Sequence, residues 1–367
     1  QTAAIASALT AGTYTVKVTD SNGCSLSKQV TISEPPIIIA SITAHTNVLC
    51  YSDSIGSATV SASGGNGTLS YAWNTIPIQT TASATGLVAG IYYVTVTDLN
   101  GCTKMDSVTI TQPSAQLNST ITASKNVDCF GNNNGSATVK VGGGTMPYVY
   151  SWNTVPKQSS DSAKNLLAGT YNVSVTDANG CTSNSTVIIT EPLAITDSIT
   201  SQTNVSCFGD NTGSLTVTAN GGTAPLSYLW NTVPAQHTAT ASQLIAGTYT
   251  VIVTDSNGCS LSKQATITQP TKIITSISAQ TNVICYGDST GSATISASGG
   301  NGTLSYAWNT IPKQTTAKAI GLVAGIYAVT VTDLNGCTKT DSVIITQPAA
   351  QLNSTITASK NVDCFGN

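Results

Sequence analysis

The sequence contains no arginine: its 13 basic residues are all lysine, and charged residues of both signs make up only 8% of 367 positions. With a net charge of -3 and no basic cluster, there is no electrostatic footprint for nucleic acid or an anionic membrane surface. Hydrophobic residues reach 40%, yet no run approaches the roughly 20 that a membrane span needs, and no signal-peptide pattern opens the chain. The opening residues QTAAIASALTAG read as the middle of a module, so the chain is expected to be a window on something longer. No HExxH, GxGxxG or CxxC spacing occurs, which removes the common metalloprotease, dinucleotide and paired-cysteine signatures. These absences leave a chain expected to be neither an enzyme nor membrane-inserted.

What the sequence has is repetition. Ten cysteines stand at 24, 50, 102, 129, 181, 207, 259, 285, 337 and 364, so that two recur every 78 or 79 residues. With TQP or EP as punctuation, complete modules fall at 36–113, 114–192, 193–270 and 271–348, flanked by partial modules at 1–35 and 349–367. Residues 1–132 also match 236–367 at an offset of 235, the length of three modules. The two histidines, His45 and His237, occupy non-matching module positions, and Glu34 and Glu191 both precede module-ending prolines. A catalytic pair is hard to assemble from these.

Module 193–270 reads strand by strand. Ile199 to Val205 suits a first strand, CFGDNTG a turn, and Ser214 to Ala219 a second strand with Leu215, Val217 and Ala219 on one face. LSYLW supplies a third with Leu226, Tyr228 and Trp230 together. Residues 231–243 suggest one or two short strands. AGTYTVIVTD turns Tyr249, Val251 and Val253 inward, and a last strand follows the Asp255-Ser256-Asn257-Gly258 turn. No stretch has a helical period, so about seven short strands per module predict an all-β fold of tandem immunoglobulin-like sandwiches, each about 78 residues, in a linear fibre. A lone tryptophan (Trp73, Trp152, Trp230, Trp308) marks the third strand. A tyrosine after Ala-Gly-Thr or Ala-Gly-Ile (Tyr14, Tyr92, Tyr171, Tyr249, Tyr327) stands where a tyrosine corner belongs.

The stretch CFGDNTGSLTVTANGGTAPLSYLWN, followed by LIAGTYTVIVTDSNGC, resembles the SprB-type repeat of very long surface adhesins in gliding Bacteroidetes. More distantly it is similar to the PKD branch of immunoglobulin-like domains. The resemblance extends over all four complete modules and both partial ones. It implies an extracellular, cell-surface filament or adhesin exported by the type IX pathway, with the export signal and any terminal adhesive domain outside this window.

The cysteines are expected to form disulfides in an oxidising compartment. Three schemes compete. Pairing inside a module (Cys50 with Cys102, Cys129 with Cys181, Cys207 with Cys259, Cys285 with Cys337) is the simplest. However, immunoglobulin topology puts those turns at opposite ends of the sandwich, roughly 20 Å or more apart, and a disulfide needs Cα atoms within about 7 Å. Stacking modules end to end instead predicts Cys50 with Cys181, Cys129 with Cys259 and Cys207 with Cys337. A third scheme crosses the linker, Cys24 with Cys50 and so on. Calcium is the rival reading for the CYGDST, CFGDNT and VTDxNG loops. Each cluster offers at most one or two carboxylates while calcium takes 6 to 8 oxygens, so Asx turns are expected there and no cofactor. Zinc has no paired ligand spacing.

Six Asp-Ser pairs followed by a small or aliphatic residue or Thr, at Ser54, Ser107, Ser162, Ser198, Ser289 and Ser342, resemble the O-glycosylation sequon of Bacteroidetes. Tyr51, Phe130, Phe208 and Tyr286, each beside the first cysteine of a module, are candidates either for plugs between modules or for contacts to a surface polysaccharide. The expected partners are neighbouring modules and, in a filament, other copies of the chain. The functional expectation is a disulfide-stapled stalk, with a glycan-binding module and a polymerised filament subunit as its rivals.

Overall fold

A computed structural model describes residues 1–359. Among these there are 26 strands and no helix. The chain divides into two compact units, one of residues 1–127 with 131–191, the other of residues 128–130 with the chain from Pro192 onward.

The first unit opens with a two-stranded hairpin, β1 (Gly12–Thr19) and β2 (Ser25–Ile32). A sandwich follows, made of β3 (Ile39–Thr46), β4 (Gly56–Ser63), β5 (Ser70–Trp73), β6 (Ser83–Leu87), β7 (Gly90–Thr97) and β8 (Thr103–Ile110). One sheet has the order β3-β4-β6 and the other β5-β7-β8, all antiparallel. The next six strands repeat this plan: β9 (Asn118–Lys125), β10 (Gly135–Gly142), β11 (Val149–Trp152), β12 (Ser162–Leu166), β13 (Gly169–Thr176) and β14 (Thr182–Ile189).

The second unit has two further copies. The third sandwich comprises β15 (Thr196–Thr203), β16 (Gly213–Asn220), β17 (Ser227–Trp230), β18 (Thr240–Leu244), β19 (Gly247–Thr254) and β20 (Ser260–Ile267). The fourth comprises β21 (Thr271–Thr281), β22 (Gly291–Gly300), β23 (Ser305–Trp308), β24 (Lys318–Leu322), β25 (Gly325–Thr332) and β26 (Thr338–Ile345). Every sandwich therefore has two three-stranded sheets with the connectivity of an immunoglobulin-like fold.

Strict alternation makes each core. Along β16, Gly213, Leu215 and Val217 are buried while the residues between them face outward. They meet Trp230, Ala241, Leu244, Val251, Val253 and Ile267 from the other strands. The tryptophan is fully buried in each sandwich; in the third, its indole N–H donates to the Thr238 carbonyl at 3.0 Å, which satisfies the one polar atom the ring carries inside. The tyrosine corner is present too. The Tyr249 hydroxyl donates to the Ile245 carbonyl at 3.0 Å, as do Tyr92 to Val88 and Tyr171 to Leu167 at 3.2 Å.

The sequence suggests about seven strands per module; the structure has six. The difference lies in residues 231–239, which make one isolated bridge, Trp230 with Gln236, instead of a strand, while side chains fasten the loop. The Gln236 carboxamide accepts from the Ser242 N–H at 2.9 Å and donates to the Ser242 carbonyl at 3.0 Å. Asn231 accepts from the Thr250 N–H at 2.8 Å. A glutamine clamp of this kind closes a loop without requiring neighbouring residues to alternate, so a periodicity argument cannot see it.

The second strand of each sandwich begins on a glycine because the site has no room for a side chain. A Cβ on Gly213 would lie 2.7 Å from the Leu244 carbonyl oxygen and 2.9 Å from the Ile267 Cγ2. Gly213→Ala is expected to destabilise the third sandwich by about 1–3 kcal/mol, the usual cost of overpacking. Hydrogen exchange of peptides from β16 to β20 in the intact chain should show faster opening there, with the first sandwich unchanged; equal protection would mean the site relaxes freely.

Candidate functional site: the cysteine junctions

The second cysteine of each module sits in a hairpin built by one aspartate. At Asp255, Oδ1 accepts the N–H groups of Asn257 at 2.9 Å and Cys259 at 2.8 Å, while Oδ2 accepts the Thr223 N–H at 2.8 Å from the turn after β16. Gly258 takes φ +85° to close the turn. The backbone N–H of Thr223, with those of Cys259, Asn257 and Gly258, outweighs desolvation and holds the Asp255 carboxyl below its ordinary range. Asp98 is lowered in the same way, by Asn66 first. At Asp177 and Asp333 burial pushes upward, but the surrounding N–H donors prevail. These carboxylates are occupied by backbone donors of their own turns, as the Asx-turn reading expects. Among the described residues no group of three or more His, Cys, Asp or Glu is placed to hold a metal ion.

The first cysteine sits in the loop after the first strand, and this loop is tied to the end of its own sandwich. The Gly209 N–H donates to the Gln269 carboxamide at 2.7 Å, the Gly131 N–H to the Glu191 carboxylate at 2.6 Å, the Ser52 N–H to Gln112 at 2.8 Å and the Gly287 N–H to Gln347 at 2.9 Å. The Gln or Glu of the TQP and EP punctuation thus shapes the cysteine loop. Spacing alone marks it only as a boundary residue.

These two turns lie at opposite ends of the last strand. The Val205 N–H donates to the Thr268 carbonyl just beyond the end of β20, whereas Cys259 immediately precedes its start. Eight residues at about 3.3 Å each put roughly 20 Å or more between them. Accordingly, among the described residues no cysteine pairs within its module or across a linker. The disulfides there are Cys50–Cys181, Cys129–Cys259 and Cys207–Cys337, with Cα separations of 5.7, 5.7 and 5.5 Å. Each joins the first cysteine of one module to the second cysteine of the next. Both of the other schemes are overturned by that strand-length separation and by these observed partners.

An asparagine hydrogen bond accompanies each disulfide. Asn179 donates from Nδ2 to the Leu49 carbonyl at 2.9 Å, Asn257 to that of Asp128 at 2.9 Å and Asn335 to that of Ser206 at 2.8 Å. In every case the acceptor is the carbonyl of the residue before the first cysteine. Asp-x-Asn-Gly-Cys therefore builds the turn with its aspartate and grips the incoming loop with its asparagine. Cys24, Cys102 and Cys285 are free and exposed; Cys364 lies outside the described residues.

The other candidate residues disperse. His45, on β3, and His237, in the loop before β18, are both exposed and belong to different sandwiches. Ser54, Ser107, Ser198, Ser289 and Ser342 are exposed, while Ser162 is half-buried, with its hydroxyl 3.1 Å from that of Thr138. Tyr51 and Phe208 line crevices beside the Cys50–Cys181 and Cys207–Cys337 disulfides. Tyr51, Phe130, Phe208 and Tyr286 keep 41 to 59% of their surface exposed, so none is a fully buried plug.

The family model described as the SprB repeat matches residues 42–77, 121–156, 199–235 and 277–312. The chain carries four SprB repeats. Each match runs from within the first strand, through the first-cysteine loop, to just past the buried tryptophan. The second-cysteine hairpin lies outside it, so the junction draws half its residues from beyond the matched segment. No curated protein matches the array. Among solved structures, it is similar to a tetra-tandem repeat in the extending region of a large adhesion protein, with 14% identity over 85% of this chain and 99% of that one, at a TM-score of 0.30. It is also similar to the N-terminal eight Ig domains of Down Syndrome Cell Adhesion Molecule (9% identity, 92% of this chain and 64% of that one, TM-score 0.30). A third similarity is to cadherin domains 3–6 of protocadherin gamma B2 (10% identity, 85% and 100%, TM-score 0.27). Scores this low do not establish a shared overall arrangement.

A pH dependence follows from the aspartate turns. A carboxyl held low in the folded state stabilises the fold fully above the ordinary value of 3.8 and loses that contribution as pH falls through the lowered folded value. Calorimetry should therefore show a level melting temperature from pH 5 to 8 and a steep fall below about pH 4. Asp255→Asn should lower the melting temperature at neutral pH and flatten the acid limb for the third sandwich. An unchanged acid limb would remove the aspartate from this role.

Proposed function

We propose that the chain is a stalk segment of a long extracellular repeat adhesin on the cell surface, a spacer that bears load and performs no catalysis. The family supplies the setting, including export by the type IX pathway and a role in gliding. The observation that carries the mechanical part is the disulfide connectivity.

Following covalent bonds from Cys50, the path crosses to Cys181, runs along β14, the linker and β15 to Cys207, and crosses again to Cys337. A second path runs from Cys102 along β8 and β9 to Cys129, crosses to Cys259, and continues along β20 and β21 to Cys285. Each path uses only the last strand of one sandwich and the first strand of the next. The intervening four-strand segments, such as β4 to β7, connect one path to the other. The covalent topology is a ladder: two rails made of edge strands, and rungs that contain most of each core. Tension applied along the chain is carried by the rails and bypasses the rungs.

The consequence is a cap on extension. From end to end the shortest covalent route uses about 105 residues, about 370 Å when straight, whereas the reduced chain of 367 residues reaches about 1,280 Å. Single-molecule pulling from the two ends should show reduced chains lengthening in steps of about 230 Å as each 78-residue module unfolds, and oxidised chains stopping near 370 Å. Full extension without reductant would end the load-bearing reading. On the chain-entropy model, closing loops of 130 or 131 residues also adds about 5 kcal/mol per disulfide.

The half-exposed aromatics beside the first cysteines favour a second reading, in which the modules bind a surface polysaccharide. Binding of the array on a glycan array, lost on Phe208→Ala, would support it; an inert array would leave the spacer alone. O-glycosylation of the Asp-Ser sites belongs to the same proposal, with Ser107, Ser198 and Ser342 on exposed strand positions. Intact mass of the native protein should exceed the polypeptide mass, and an unmodified mass would sink this element.

A further inference from the structure

The outer face of the β11-β13-β14 sheet, in the second sandwich, carries a row of polar side chains that the other sandwiches lack. Strand register puts Ser151, Ser174 and Asn184 side by side across the three strands, with Asn172 beside Thr186 in the next row. Ser151, Asn172, Ser174 and Asn184 line an open crevice together with Asn153 and Lys157 from the loop after β11, and no Asp or Glu lines it. We propose that this crevice binds an acidic saccharide, a uronate-bearing chain whose carboxylate sits on Lys157 and whose hydroxyls meet the amides and serines. The site goes beyond the stalk reading, does not depend on it, and is separate from the aromatic residues beside the first cysteines.

Two of the amides are set as donors. Asn172 Oδ1 accepts the Thr186 hydroxyl at 2.6 Å, and Asn153 Oδ1 accepts the Asn172 N–H at 2.8 Å. Each amide oxygen is thereby used within the sheet, which turns the Nδ2 group of each toward a ligand. Among the described residues neither Nδ2 has a partner, and the same holds for the Ser151 and Ser174 hydroxyls, the Asn184 amide and the Lys157 ammonium. Ser151 and Ser174 are half-buried, so their hydroxyls are partly withdrawn from water and gain most from a ligand that supplies the missing hydrogen bond.

This set of groups selects among ligand classes. One cation with neutral amides and hydroxyls suits an acceptor-rich ligand of low charge density. A phosphate or sulfate would call for a nest of backbone N–H groups, and a nucleic acid for a basic patch. Neutral groups repeating at the strand spacing of about 4.8 Å instead match successive hydroxyls of a sugar chain.

The other sandwiches show that the fold does not demand these residues. The same row reads Ala72, Thr95 and Met105 in the first sandwich. In the third it is Leu229, Ile252 and Ser262, and in the fourth Ala307, Thr330 and Thr340. Asn172 gives way to Tyr93, Thr250 and Ala328, whose N–H groups are held by Asn74, Asn231 and Asn309 as that of Asn172 is held by Asn153. The fourth sandwich keeps a lysine, Lys313, but has alanine both on its short strand and at the amide position. Leu229 and Ile252 are 43% and 40% exposed, so these places tolerate apolar and polar residues alike, and packing does not account for the polar set in the second sandwich.

The test titrates the full oxidised chain by calorimetry with tetragalacturonate, its methyl ester and tetraglutamate. Tetragalacturonate is expected to bind at one site per chain. Methyl esterification and Lys157→Ala should each weaken binding about tenfold, and Ser174→Ala and Asn184→Ala about threefold to tenfold, with melting temperatures unchanged. Phe208→Ala should bind as the unaltered chain does. Rebuilding the row in the fourth sandwich, by Ala307→Ser, Ala328→Asn and Thr340→Asn together, should raise the stoichiometry to two. Absence of binding at about 10 mM tetragalacturonate would overturn the proposal. So would equal affinity for the methyl ester, tighter binding of tetraglutamate, or an affinity that Phe208→Ala lowers and Lys157→Ala leaves unmoved.

Discussion

The length of one β-strand governs the covalent architecture of this chain. Because the two cysteines of a module flank its last strand, about eight residues apart in rise, neither can reach the other, and each must find its partner in a neighbour. Had the last strand folded back, or the first cysteine preceded its strand, each sandwich would have closed on itself and stood as a separate bead. Instead the cross-links interlock: Cys129 lies inside the loop closed by Cys50–Cys181, and Cys207 inside the loop closed by Cys129–Cys259. In the stalk proposed above, such an interlocked series would have a property that isolated stapled domains lack, since the bonds that join modules would also shield their cores from tension.

Such pairing needs specificity, because ten chemically equivalent thiols admit many wrong partners. Geometry provides it before the sulfurs react. The aspartate carboxylate sets the hairpin, the Gln or Glu at the module end sets the loop, and the asparagine amide joins them through a backbone carbonyl. A carbonyl acceptor is available whatever the residue, and the three acceptors are indeed Leu49, Asp128 and Ser206. The recognition is therefore indifferent to side-chain differences among modules, which suits an array whose units must all accept one another.

Much of this was legible in the sequence. Alternation placed Leu215 and Val217 inward, the single tryptophan marked the third strand, and the Ala-Gly-Thr-Tyr stretch placed the tyrosine corner, because each of these is a local pattern with one physical cause. The missing strand between β17 and β18 was not legible, since Gln236 closes that loop with a side chain rather than with alternation. The junction was only half legible. Strand length disfavoured pairing within a module, but choosing between modules required knowing where the asparagine amide points, and composition does not encode that. Gln269 and its equivalents looked like punctuation because the partner, a glycine N–H, is a backbone group.

The scarcity of charge bears on how the sheets are held. Their outer faces carry hydroxyl pairs across strands, such as Thr216 with Thr240 at 2.9 Å, Thr46 with Ser57 at 2.8 Å and Thr248 with Thr266 at 3.1 Å. Pairs of this type contribute a few tenths of a kcal/mol to about 1 kcal/mol each, and, being neutral, they are not screened by salt. Lysine–carboxylate pairs on the same faces would weaken as ionic strength rises. A surface without arginine, with neutral ladders outside, apolar alternation inside and disulfides between modules, depends little on the ionic composition of its surroundings. In the aspartate turns, backbone N–H donors hold the carboxyls below their ordinary range. The same residues that make the array poor in recognisable chemistry thus make it tolerant of an environment the cell does not control.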